Sequence, residues 1–582
     1  MSVEKLITEH MDVWANSITP RTAGRGGSRK LELTGVKRLR ELILELAVRG
    51  RLVPQGANRR SGEDLRIELA EARKQAMKTG GGKNQKPLKP VEESEKEFPE
   101  PNGWAWLRLS DVGRIVGGGT PKSKDPSCWA DEGVKWLTPA DLYGYKSKYI
   151  SAGRRDISQK GLDTSSAVVL PVGTVLFSSR APIGYVAIAS AELATNQGFK
   201  SCVPFIDGMS EYLYYFLMRS ARQIDSEASG TTFKEVSGAT VARVCVPLPP
   251  LEEQHRIVQK VDELMALCDR LEQQTGDQIE AHERLVDTLL ETLTRAENAT
   301  ELAENWARVE VHFDTLFTTE HSIDRLKQTI LQLAVMGRLV RQTSLGKSAA
   351  EFLHDLRRLR DEAIAAGRIK KSKLRSEAAL EEVPFNLPES WAWCRLPELG
   401  ELARGKSKHR PRNDPALYEH GKFPMVQTGD VARANRAITT HTALYNEKGV
   451  AQSKLWRRGT LCITIAANIG DTGILGFDAC FPDSVVGFTP FHDELKTEYV
   501  EYFLRTAKRK LTEFAPSTAQ KNINLEVLES LLVPLPPPEE LGRIVLRVDE
   551  LMAMCDRLKS DIRMSSDSEC KLANAIFSRS MH

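Results

Sequence analysis

Two stretches of this chain carry residue types at spacings that could do chemistry. Residues 400–407 (GELARGKS) fit the phosphate-cradling pattern G-x-x-x-x-G-K-S. That chemistry needs a strand before the loop and a helix after it, so that backbone N–H groups converge on phosphate oxygens. The residues that follow, Lys408-His409-Arg410-Pro411-Arg412, hold a proline and no apolar periodicity. A tight basic turn after a strand is therefore expected, not a nucleotide site. Pro482-Asp483 followed by Glu494-Leu495-Lys496 fits a loose nuclease pattern, Pro-Asp…Glu-x-Lys, which is short enough to arise by chance. The 11 histidines are scattered, and no His/Cys/Asp cluster has metal-ligand spacing. An Asn-Pro-Pro-Tyr-like methyltransferase motif, a glycine-rich S-adenosylmethionine loop and a Gly-x-Ser-x-Gly elbow are all missing from the sequence. No catalytic or metal-binding residue is expected.

A different chemistry is spread over six polar or basic loops, three in each half of the chain. The first loop of each set carries Thr120, Lys122 and Lys124, or Lys406, Lys408, Arg410 and Arg412. The second carries Ser179 and Arg180 with Asn196 and Gln197, or Asn468. The third carries Thr231, Thr232 and Lys234, or Thr518, Gln520, Lys521 and Asn522. Arg and Lys match guanine edges and phosphates, Asn and Gln match adenine edges, and Ser and Thr serve both. One such loop alone reads as a solvated turn. Three at like places in two domains point to DNA contact.

The elements that must position these loops are written twice, 287 residues apart. Residues 246–271, VPLPPLEEQHRIVQKVDELMALCDRL, return at 533–558 as VPLPPPEELGRIVLRVDELMAMCDRL, with 20 identities in 26 positions. Residues 39–55 return at 326–342, and Trp104-Ala105-Trp106 returns as Trp391-Ala392-Trp393. Glu211-Tyr212 and Tyr215-Phe216-Leu217 return as Glu498-Tyr499 and Tyr502-Phe503-Leu504. In the same register Gly118-Gly119-Thr120 stands against Gly405-Lys406-Ser407, and Asp207-Gly208-Met209 against Glu494-Leu495-Lys496. Each chemical motif above therefore exists in one copy only.

The VPLPP run ends a strand, because proline stops the ladder and stiffens the turn. A helix follows with apolar residues at steps of 4, 3, 4, 3: Ile257, Val261, Leu264, Cys268 and Leu271 in one copy, Ile544, Val548, Leu551, Cys555, Leu558 and Ile562 in the other. This is a heptad seam for helix–helix contact. The first such helix is expected to run to about Arg295, and the second over residues 539–577. Shorter apolar helices are expected over 39–53 and 326–340, ended near Gly50 and Gly337. Further helices are expected over 62–78 and 348–366, then polar linkers over 79–97 and 367–382. The variable stretches hold short β-like runs at 167–172, 174–178, 185–189, 461–466 and 473–477, plus one aromatic helix each. The division expected is 1–97 (N-terminal helical region and linker), 98–249 (first recognition domain), 250–384 (central helical spacer), 385–536 (second recognition domain) and 537–582 (C-terminal helix).

Composition is compatible with this reading. The chain has 582 residues, 41% hydrophobic and 27% charged, with a net charge of +3. It is long enough for several domains, and local basic surfaces are permitted. No apolar run has membrane-spanning length, and the N-terminus has no signal-peptide core. Nine cysteines without a Cys-x-x-Cys spacing suit a reduced, cytoplasmic protein without structural zinc. Two different readings remain from the residues alone: a sequence-specific DNA-binding subunit, and a protein-binding scaffold with paired domains on coiled-coil spacers.

The frame VPLPPLEEQHRIV opening a long helix, used twice around two divergent domains, resembles the specificity (S) subunit of type I restriction–modification systems. Gly118-Gly119-Thr120-Pro121, Asn196-Gln197-Gly198-Phe199 and the 517–522 loop are also similar to that family's target-recognition domains. The resemblance covers essentially the whole chain. Copy two departs from it at Leu541-Gly542, where copy one has Gln254-His255. The resemblance implies an α+β protein: two tandem mixed α/β target-recognition domains joined by long antiparallel coiled-coil helices, pseudo-two-fold symmetric. It implies double-stranded DNA as ligand, with two methyltransferase (M) subunits and two restriction/translocase (R) subunits as partners. S-adenosylmethionine, ATP and Mg would then sit on those partners, with no cofactor in this chain. Pseudo-two-fold symmetry further requires the C-terminal helix to dock beside the N-terminal helix.

Overall fold

A computed structural model describes residues 9–20, 31–55, 60–78, 87–180, 182–228, 234–297, 299–342, 346–369, 383–409, 411–513 and 522–581. The main helices in chain order are α1 (Thr34–Val48), α2 (Gly62–Lys78), α3 (Ser210–Ser226), α4 (Leu251–Arg295), α5 (Glu320–Val335), α6 (Ala349–Ala365), α7 (Thr497–Glu513) and α8 (Pro538–Met581). The chain divides into two units, Met1–Gln278 with Ser565–His582, and Ile279–Met564. Helices α4 and α8 have 45 and 44 residues, each about 67 Å long at 1.5 Å per residue. Each begins in one unit and ends in the other.

The first unit is built on two sheets and a strand pair. A five-stranded sheet has the order Gly113–Gly117, Lys200–Pro204, Val175–Phe177, Val186–Ala189, Tyr149–Ile150. A four-stranded sheet has the order Ala194–Thr195, Val134–Leu137, Arg155–Ile157, Trp129–Ala130. Ala105–Arg108 pairs antiparallel with Cys245–Leu248, the strand that VPLPP ends. Helix α1 buries Val36, Leu39, Leu42, Ile43, Leu46 and Ala47, the 3–4 spacing of one helical face, and joins α3 and the α4 seam in one core. It spans Thr34–Val48 rather than 39–53. Gly50, at φ +65°, turns the chain out of it, as only glycine does readily. Ala573 and Ile576, near the end of α8, belong to the same core. Ser566 donates to the Ile18 carbonyl at 2.7 Å, and Arg51 to that of Ser580 at 3.0 Å. The end of the last helix thus docks on the N-terminal helical region, as the repeat symmetry requires.

The second unit repeats the plan. Its five-stranded sheet runs Gly400–Arg404, Val485–Pro490, Leu461–Thr464, Thr472–Leu475, Ala437–Ile438, matching the first strand for strand. Its four-stranded sheet runs Ala443–Tyr445, Phe423–Met425, Ala479–Cys480, Leu455–Trp456. One parallel pair is kept, central in this sheet and at the edge of the first unit's: Met425 against Cys480 here, Trp136 against Ala194 there. Both sheets also keep an antiparallel strand beside that pair, Arg155–Ile157 or Ala443–Tyr445, and differ in the side on which the fourth strand is added. Ala392–Arg395 pairs with Leu532–Leu535. Helix α5 and the head of α8 share a core with Val286, Leu290 and Leu293 of the α4 tail.

The duplicated residues are the bolts of this frame. The Trp104 indole donates to Glu253, at the start of α4, at 3.0 Å, and the Trp391 indole to Glu540, at the start of α8, at 2.9 Å. Tyr212 and Tyr499 donate to the carbonyls of Pro247 and Pro534 at 2.5 and 2.6 Å. Tyr215 and Tyr502 donate to Asp262 and Asp549 on the long helices. The seam residues Ile257, Val261, Leu264 and Leu271 are all buried. In the second copy Ile544 and Val548 are fully buried, whereas Leu551 and Leu558 are only partly so.

One expected strand does not form. Residues 167–172 make a single bridge, Leu170 to Leu193, and no ladder. Pro171 has no N–H to give a ladder, and Gly173 at φ +84° turns the chain straight afterwards. Ala167 and Leu170 are buried as packing residues instead.

Candidate nucleic-acid interface

In the first unit the fold gathers the first two loops and residues 234–236, at the end of the third, into one patch. Gly118 makes this possible: a Cβ there would lie 2.2 Å from the carbonyl oxygens of Thr195 and Asn196. The Gly119 N–H donates to the Thr195 carbonyl at 2.8 Å. The Thr120 hydroxyl then reaches the Gln197 side chain. Asn196 caps its own turn, its Oδ1 accepting from the Gly198 N–H at 2.9 Å. The Ser179 N–H donates to the Gly198 carbonyl at 2.7 Å, and the Ser179 carbonyl accepts from Val236 at 2.9 Å. Arg180 bridges Glu235 through the backbone.

Thr120, Lys122, Lys124, Gln197 and Lys234 are exposed, and Asn196 and Arg180 are half-exposed. Lys234 lies 3.8 Å from Asp225. Ser179 corrects the sequence reading. It is fully buried, because its strand-end position packs it between two loops, so it shapes the patch and cannot face DNA. Lys200 carries no sequence signal, yet it ties the patch together. Its ammonium donates to the Gln197 carbonyl at 3.0 Å and to Ser179 Oγ and Glu235 Oε1 at 3.4 Å. Beside Lys124, Asp125 is held down at about 2 by the Ser127 hydroxyl and N–H and by Lys160. It stays anionic across the working range of pH.

The second unit builds a matching patch with other side chains. Gly405, in register with Gly118, passes as closely: a Cβ would lie 2.2 Å from the Phe481 carbonyl oxygen. Its N–H donates to Val485 at 2.9 Å. The loop beyond is held by Gln452, whose Oε1 accepts from the Lys408 N–H at 2.6 Å, and by Ser453, which donates to the Lys406 carbonyl at 2.7 Å. This leaves the Lys406 and Lys408 side chains exposed. Asp414 is kept below the usual carboxylate range by the Ala416 N–H and by His409. Arg412 meets Asp483 at 2.7 Å. Ile465 donates to the Ser484 carbonyl at 3.0 Å, and Ala466 bridges Asn522. Ala467 takes a left-handed φ of +65° and presents Asn468 to solvent; Asn522 is exposed as well. Thr231, Thr232, Arg410, Thr518, Gln520 and Lys521 lie outside the described residues.

Neither enzyme-like motif has its required setting. Gly400–Arg404 is itself a strand, and residues 405–409 after it are not helical, so no helix N-terminus faces a phosphate position. Asp483 is engaged by Arg412, whereas Glu494 lies 3.7 Å from His492 and Lys496 donates to the Asp493 carbonyl. Among the described residues no group of three His, Cys, Asp or Glu could hold a metal ion, and no helix is long and apolar enough to cross a membrane.

Residues 101–281 and 388–564 match the family model of the type I restriction modification DNA specificity domain. The chain is 31% identical to the type I restriction enzyme EcoEI specificity subunit of Escherichia coli, over 99% of each chain. It is 33% identical to the EcoAI specificity subunit of the same organism, also over 99% of each. A solved HsdS subunit from Thermoanaerobacter tengcongensis is similar at 19% identity and a TM-score of 0.40, covering 84% of this chain and 99% of that one. With a family match in both repeats and end-to-end relatives above 30% identity, this chain belongs to the type I restriction–modification specificity-subunit family.

Proposed function

We propose that this chain is the sequence-specific DNA-recognition subunit of a type I restriction–modification complex. It reads a bipartite, asymmetric site in double-stranded DNA. The observation that carries this is the pair of loop patches: one construction, hinged on Gly118 and Gly405, is furnished with two different sets of side chains. A common frame with different readers suits two unequal half-sites. Lys122, Lys124, Lys234, Lys406 and Lys408 supply phosphate and guanine donors, while Asn196, Gln197, Asn468 and Asn522 suit adenine edges. The long helices set the unread gap and, through the faces they leave open, recruit two methyltransferase and two motor-nuclease subunits. Methyl transfer, ATP use and Mg-dependent cleavage belong to those partners, so this chain works by binding alone. Nine free thiols suit a cytoplasmic complex.

The test is an exchange of residues 98–249 for the matching domain of a relative, with methylated adenines mapped in host DNA. One half-site should change and the other persist. A change in both half-sites would overturn independent reading.

A further inference from the structure

Each patch contains a carboxylate, an unusual companion for DNA phosphates. Glu235 lies 3.7 Å from Arg180 and 3.4 Å from Lys200. Asp483 lies 2.7 Å from Arg412. The acid and the arginine come from different loops in each case, and all four side chains keep between 39% and 49% of their surface exposed. The couples are therefore assembled by the fold and remain within reach of a ligand. Their positions are not equivalent in the repeat: Asp483 stands in register with Asn196, not with Glu235. The two domains have arrived at the same couple by different residues.

A phosphate offers only acceptors. It can take the arginine but must then face the neighbouring carboxylate. A G·C pair in the major groove offers both halves of the match, O6 and N7 acceptors on guanine beside the N4 amino donor of cytosine. An arginine next to a carboxylate is complementary to that edge and mismatched to the backbone. We infer that Arg180–Glu235 and Arg412–Asp483 are specificity-determining couples, each reading a G·C base pair in its half-site. The carboxylate also holds its arginine away from phosphates on non-cognate DNA. In the first domain Lys200 keeps the acid compensated when Arg180 turns to the base. The inference rests on the DNA-recognition reading and narrows it to a base-pair class.

The experiment uses the full chain co-purified with its partner subunits. Two probes are needed: a duplex carrying the site found by methylation mapping, and a scrambled duplex of equal length. Glu235→Gln frees Arg180 for phosphate. Affinity for the scrambled duplex should rise about 2–5-fold, the range of an exposed ion pair, and its salt slope should steepen by about one. Replacing the G·C pair by A·T should penalise the variant less than the parent. In an Arg180→Gln background the same change should do nothing, and Asp483→Asn should repeat the result in the other half-site. Unchanged scrambled-duplex affinity and unchanged G·C preference in both acid variants would overturn the inference, as would a half-site with no G·C pair. If the parent complex itself bound both duplexes alike, the DNA-recognition reading would fail instead.

Discussion

Replacing Trp104 by Phe should unlock the first recognition domain from its long helix and leave the second domain locked. The indole is 3% exposed and donates at 3.0 Å to Glu253, itself 1% exposed. Its ring lies edge-on to Tyr212 at 6.4 Å. Phe preserves an aromatic ring but removes the donor and part of the volume. Loss of a hydrogen bond to a buried carboxylate, with a small cavity added, should weaken the junction by about 2–4 kcal/mol. That is a sizeable fraction of a typical domain's total stability. Hydrogen exchange read by mass spectrometry on the intact chain localises the effect. Peptides over 104–117 and 245–260 should lose protection, while those over 391–404 and 532–547 should keep theirs. Trp391→Phe should give the converse, since that indole meets Glu540 at 2.9 Å. A protection loss below about 0.5 kcal/mol, or an equal loss in both sets of peptides, would refute the claim that these bonds fasten each reader to its helix.

Leu264→Ala, at a fully packed seam position, should lower stability by about 2–5 kcal/mol, and Leu551→Ala, only partly buried, by about half as much; equal thermal shifts would contradict the asymmetry of the two seams. Glu501 is buried beside Thr472 and Arg505, and burial raises its carboxyl above the usual range despite the arginine. The folded state then holds the proton more tightly than the unfolded one, so its contribution is present below the unfolded carboxylate range and is lost as pH rises through the folded value. Glu501→Gln should flatten that decline in urea midpoints, and an unaltered pH profile would exclude the effect. Lys234→Ala should weaken DNA binding and reduce the salt slope by about one unit if the ammonium meets a phosphate; a titration against salt with neither change would return Lys234 to ordinary solvated surface.

The frame was legible in the sequence because its bonds are made by the residues that repeat. Trp104 and Trp391, Glu253 and Glu540, Tyr212 and Tyr499 lie in one register and make the same contacts. The long helices were legible from their 4–3 apolar steps, which buried Ile257 to Leu271 enforce. The sheets were less so. Their strands of two to six residues pair with neighbours distant in the chain, and periodicity cannot report a partner. Residues 167–172 look like a strand by composition, but Pro171 and the turn at Gly173 limit them to one bridge. Within the patches, exposed lysines and amides were foreseeable from composition. Glu235 and Lys200 were not, because their meaning depends on which loop the fold sets against them.

The two units also differ in when they can be completed. Residues 279–564 form the second unit in one uninterrupted run, whereas the first needs residues 565–582 to supply Ala573 and Ile576 to its core. During synthesis at roughly 5–20 residues per second, the first unit therefore waits about 15–60 s for its missing edge while the second is being made. Over that interval the face of the N-terminal helical region that meets Phe577 at Arg38 and Ser580 at Arg51 is without its final cover, open to a chaperone or to the same segment of another nascent chain. A premature stop near residue 564 would have its effect at a distance in sequence. It would spare the recognition domain just translated and leave unfinished the one made first.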